Sequence, residues 1–193
     1  MHYNQNRLPK KGLKMPFMSV IQFWFEETRP ALWWKKSAEF DALIGTRFAE
    51  LHRSASRCEH FAWRRRPLGR LAEIIVLDQF SRNLYRDQPE AFAHDSLALA
   101  LAQQAIAAGI APRLSAKQRG FLYMPFMHSE SRVIQKQSMA LFGQAGLAAH
   151  LSSAQRHCDI IERFGRYPHR NKILGRASTD EELAFLQQPG SAF

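Results

Sequence analysis

The chain has 193 residues, 46% hydrophobic and 23% charged, with a formal net charge of +10. That length suits a single domain able to bury roughly 70% of its unfolded surface, and the composition is globular, not disordered or fibrous. The basic residues are scattered. Their only dense run, Arg64-Arg65-Arg66 with Arg70, has Trp63 alone as a stacking ring, so specific nucleic-acid binding is not expected.

Residues 1 to 18 carry Arg7, Lys10, Lys11 and Lys14 without the apolar run of a secretory signal, and read as a loose basic tail. A single domain follows over residues 19 to 188, with residues 189 to 193 as a short tail. Ser19 and Gln22 resemble a capping box opening a first, aromatic-rich helix over residues 20 to 26. Phe40, Leu43, Ile44, Phe48 and Leu51 fall three and four apart, which predicts an amphipathic helix over residues 38 to 53. After Pro67, the apolar positions Leu71, Ile74, Ile75, Leu77 and Phe80 are wide-faced, as in a helix buried on most sides.

Asp95 reads as the N-cap of a helix over residues 96 to 108, with Gly109 as its stop. The stretch from 97 to 111 is interrupted by Gln103 and Gln104 and falls short of the roughly 18 apolar residues of a membrane span. Ser115 with Gln118 opens another helix, which Pro125 should kink or end. Helices over residues 131 to 142 and 148 to 164 follow, and Ser178 with Glu181 caps a short last one. Strand signals are almost absent, and no repeat with a period near 34 is evident. The pattern predicts an all-α domain of seven to eight helices, paired as antiparallel hairpins by their short connections. Cys58 and Cys158 have neither metal nor redox spacing and read as reduced thiols of a cytoplasmic protein.

Three segments carry polar residues beyond what such packing needs. In the third helix, Asp78 and Arg82 lie four apart and can pair along one face, with Asn83 beside them. After Pro125 come His128 and Glu130, an imidazole and a carboxylate suited to acid-base work. The segment from Arg163 to Asn171 crowds Tyr167, His169, Arg170 and Asn171 around Pro168, whereas surface turns favour small residues. That turn is expected to fold inward, its guanidiniums suited to carboxylate or phosphate. His157 is expected to be structural. No H-E-x-x-H, glycine-rich phosphate loop or G-x-S-x-G is present, so neither a metal nor another cofactor is predicted.

The blocks Phe23-Trp24-Phe25, Trp33 with Phe40-Asp41, Leu77-Asp78-Gln79-Phe80 with Arg82-Asn83, and Ala91-Phe92-Ala93 with Asp95 resemble a bacterial family, domain-of-unknown-function family 924. Phe126 with His128-Ser129-Glu130, and the stretch from Arg163 through Asn171 to Arg176 followed by Ser178-Thr179 and Glu181-Glu182, continue the resemblance. It implies an all-helical fold similar to tetratricopeptide-repeat superhelices and brings no activity with it. Ser81 stands where the family usually has proline, implying a less rigid turn, and Glu26 where a glycine is common, implying strain if that position needs positive φ.

The functional expectation is a binding protein. An inter-helix pocket would take a small anionic ligand or a peptide through Arg82, Asn83, Arg163, Tyr167, His169, Arg170 and Asn171. The alternative is a hydrolase or lyase on an anionic substrate, with His128 as base oriented by Glu130 or Asp78. The third possibility is that these polar blocks are buried networks fixing helix packing.

Overall fold

The computed structural model describes residues 16–191, and the regular structure among them is helical throughout. The first helix, α1, spans Pro16–Gln22 and runs into a π-helical turn over Phe23–Glu27. It therefore begins before Ser19, whose hydroxyl donates back to the Pro16 carbonyl at 2.7 Å instead of capping a helix. Glu26 lies within the π turn at negative φ and is unstrained.

Helix α2, Ala38–Ser56, starts where the Ser37 hydroxyl accepts the Phe40 amide, and buries Phe40, Ile44, Phe48, His52 and Ala55 along one stripe. Pro67 opens α3, Pro67–Ile75, which continues through a second π turn, Val76–Phe80, into α4, Ser81–Leu84. All five residues of that π turn are buried. A π turn adds one residue to the helical circuit and so shifts the face that later side chains present. No loosened turn occurs at Ser81: its hydroxyl is bonded on both sides within a continuous helical run.

Helix α5, Asp95–Ala107, ends before Gly109, which adopts φ +68°. The capping box of Ser115 and Gln118 opens α6, Ala116–Met127, which carries Pro125 inside it instead of stopping there. Ser131 caps α7, Arg132–Phe142, and α8 spans Ala148–Phe164, closed by Gly165 at φ +70°. The last helix, α9, Asp180–Leu186, is boxed by Thr179 and Glu182, one residue later than the Ser178–Glu181 pair expected.

The core is aromatic at its centre. Trp24 meets Phe80 at 5.5 Å and Phe121 at 5.6 Å between ring centroids, and Phe48 meets Phe80 at 4.9 Å. Leu71, Ile74, Ile75 and Leu77 are fully enclosed beside them. Helices α6, α7 and α8 pack in succession, and α3 packs against α1, α5 and α6. Among the described residues no helix is long and apolar enough to cross a membrane.

Candidate functional site

Asp78 is the anchor of the polar cluster. The second π turn places it inside the core, where it is inaccessible to solvent. A buried carboxylate is costly unless its oxygens are bonded. Here Oδ1 accepts from His128 Nδ1 at 2.7 Å and from Arg82 Nη1 at 3.3 Å, and Oδ2 accepts from Gln79 Nε2 at 2.5 Å. Burial alone would raise its pKa, but the Arg82 guanidinium and the hydrogen bonds donated by His128 and Gln79 outweigh it and hold the carboxyl below its ordinary range. Burial, reinforced by Arg82, pushes the His128 imidazole the other way from charge, below its usual value. An ionised Asp78 beside a neutral imidazole requires the proton on Nδ1 and leaves the lone pair on Nε2.

Asp95 is the second anchor. It sits at the first position of α5, and its carboxylate turns onto two arginines instead of capping the helix. Arg82 meets it in a forked pair at 2.9 and 3.0 Å, and Arg170 Nη1 adds a bond at 3.1 Å. The Arg170 guanidinium lies 4.5 Å from the Phe92 ring centroid and 4.6 Å from that of Tyr167. Its Nη2 donates to the His128 carbonyl at 3.1 Å, while its Nε has no partner among the described residues.

The turn after α8 folds inward because its backbone and side chains find partners there. Tyr167 is fully buried: its amide donates to Glu130 Oε1 at 2.8 Å and its hydroxyl donates to the Met127 carbonyl at 2.5 Å. Arg176 forks onto Glu130 at 2.6 and 2.9 Å. Asn171, also fully buried, donates to Ser178 and Glu182 and accepts from Arg176. Burial pushes the His169 imidazole down to about 4.

A cavity of about 270 Å³ opens against this cluster. Phe92, Leu99, Pro125 and Leu174 give it apolar wall, and Asp95, His128, Glu130 and Arg170 give it polar wall. Of the residues singled out in the sequence, Asp78, Arg82, His128, Tyr167 and Arg170 converge here. Glu130 reaches the wall but is tied to Arg176 and the Tyr167 amide, so Asp78 is the carboxylate that holds His128. Asn83 lies elsewhere and donates to Asp41 at 2.8 Å. Arg163 stands on the outer surface, half exposed, paired with Glu181. Asp95, Phe92 and Arg176 were not assigned to the site from the sequence. The signal for Asp95 was arithmetic: two arginines assigned to an inward-facing site, Arg82 and Arg170, demand carboxylates, and Asp78 alone is too few. Three carboxylates, of Asp78, Asp95 and Glu130, now match three guanidiniums, of Arg82, Arg170 and Arg176. Among the described residues no group of three or more His, Cys, Asp or Glu side chains is arranged to hold a metal ion.

Residues 20–190 match a family described as bacterial protein of unknown function, domain-of-unknown-function family 924. The chain belongs to this family. A solved structure of a protein of unknown function from Agrobacterium tumefaciens is similar at 37% identity and a TM-score of 0.83, covering 89% of this chain and 96% of that one. A comparison with curated proteins gives no match. The family match spans every residue of the cluster, from Asp78 to Arg176.

Proposed function

We propose that this family member binds a small molecule in the cavity beside His128 and Arg170. The observation that carries the proposal is convergence. Asp78, Asp95, His128 and Arg170 come from four separate elements, and the last three line one cavity while the first fixes its imidazole. The cavity volume corresponds to roughly nine waters at about 30 Å³ each, the size of a metabolite and too small for a folded peptide. Its apolar wall suits a hydrocarbon body, and the polar wall suits one head group. Arg170 favours an acidic head such as a carboxyl. The balance of three carboxylates against three guanidiniums argues against a polyanion.

A thermal-shift screen of small carboxylic acids, phosphates, alcohols and amino acids tests this. Ligand at a hundred times its dissociation constant adds about 2.7 kcal/mol, or roughly 5–10 °C for a domain of this size. The expected result is such a rise with one compound class, abolished in Leu99→Trp, which fills the cavity from its apolar wall. A shift that survives Leu99→Trp, or none with any class, would overturn the proposal.

A further inference from the structure

A histidine that only staples helices together has its second ring nitrogen bonded or sealed. His52 is of this kind: its Nε2 meets Ser81 Oγ at 2.7 Å, and its Nδ1 is enclosed in the core without a partner among the described residues. His128 differs. Its Nδ1 is held by Asp78, its ring lines the cavity, and Nε2 is neither bonded among the described residues nor sealed from solvent. The side chain keeps 14% of its surface exposed.

The charged and titratable groups around the ring come from several elements. Asp78 and Arg82 face it from the α3–α4 run and Asp95 from α5, while Arg170, from the turn after α8, bonds the His128 carbonyl and lines the same cavity. The His157 ring of α8 lies 6.3 Å away and is itself kept neutral by burial, which lowers it to about 3.

We propose that His128 is a general base, accepting at Nε2 a proton from a neutral X–H group of the bound small molecule, with Asp78 as its positioning residue. This rests on the cavity being a small-molecule site, and it specifies the ligand: a compact amphipathic molecule whose reacting group enters uncharged, as a hydroxyl or as a C–H beside a carbonyl. In the step, the X–H bond breaks and its electron pair stays on X. The Nε2 lone pair forms the new N–H bond. The imidazolium is flanked by the Asp78 carboxylate, and the anion on X forms beside the Arg170 guanidinium. Behind the cavity wall each carboxylate of the cluster is matched by a guanidinium, so a neutral group enters without meeting an uncompensated charge, and the site is preorganised for the charge pair that the transfer creates.

Diethyl pyrocarbonate is a suitable probe, because it acylates unprotonated imidazole nitrogens and is small enough for this cavity. With the full chain at neutral pH, peptide mapping is expected to find His128 acylated at least ten-fold faster than His52 or His157. Asp78→Asn is expected to slow that reaction at least two-fold, since an amide can support either tautomer and no longer lends Nε2 the basicity that a carboxylate on Nδ1–H provides. Equal rates at His128 and His52, or no change in Asp78→Asn, would overturn the proposal. Nitrogen-15 spectra of the unmutated protein supply a readout independent of that variant's folding, with the Nδ1–H tautomer of His128 expected. A reactive His128 found as the Nε2–H tautomer would remove the base and leave the binding site standing. An unreactive His128 with the expected tautomer would remove the cavity itself, and the base with it.

Discussion

The Ser81 hydroxyl donates to the Leu77 carbonyl at 2.5 Å and accepts from His52 Nε2 at 2.7 Å, both inside the core. Its one proton is committed to the carbonyl, so His52 must carry its proton on Nε2, and the opposite nitrogen is left bare. Removing the acceptor strands a buried N–H. Ser81→Ala is therefore expected to cost about 1–3 kcal/mol in urea unfolding, and His52→Leu in the same chain should recover part of that loss. Single residues were legible in the sequence by type more than by partner. His128 and Arg170 stood out because imidazole and guanidinium beside prolines exceed what a turn needs. The partner of His128 was not settled there: Glu130 is two residues away in the chain, yet its carboxylate is drawn to Arg176, 46 residues on, while Asp78 arrives from 50 residues earlier. Such pairings depend on how helices stack, which local spacing does not encode.

Between elements, Asp95 does the most with one side chain. It ties α4 to α5 through Arg82 and both to the turn after α8 through Arg170. Asp95→Ala would leave Arg170, 8% exposed, without its ion-pair partner and close to Arg82, which keeps only Asp78. Breaking a buried ion pair from one side costs about 3–5 kcal/mol, and the expected result is a loss of that order in chemical denaturation. An equal stability would mean that the other bonds of the turn, those of Tyr167, Asn171 and Arg176 among them, hold it without Asp95. The helices themselves were readable from spacing and caps, as at Ser115–Gln118 and over α8. The π turn that inserts Asp78 was not. A run apolar on every side matches any helical period, so the extra residue over Val76–Phe80 leaves no mark in the pattern.

For the molecule as a whole, buried imidazoles set the response to acid. His52 and His169 are lowered to about 4 and His157 to about 3, each chiefly by burial. An unfolded histidine takes its proton near 6.5, and these three refuse it until far lower pH. Between those limits the unfolded chain binds more protons, so stability rises with pH there and falls on acidification. Each buried histidine contributes up to about 1.4 kcal/mol per pH unit across its window. The carboxylates act later. Asp41, Asp78, Glu130 and Glu182 are held below their usual values by arginine and histidine partners, so their contribution is present at neutral pH and lost only below about pH 4. Protonation also adds to a formal charge already at +10, and self-repulsion acts in the same direction. Urea midpoints measured at pH 7.5, 6.0 and 5.0 are accordingly expected to fall steadily before any carboxylate titrates. His52→Phe should reduce that slope by one histidine's share. A midpoint constant from 7.5 to 5.0 would mean that the three imidazoles reach solvent and take up protons in the folded state.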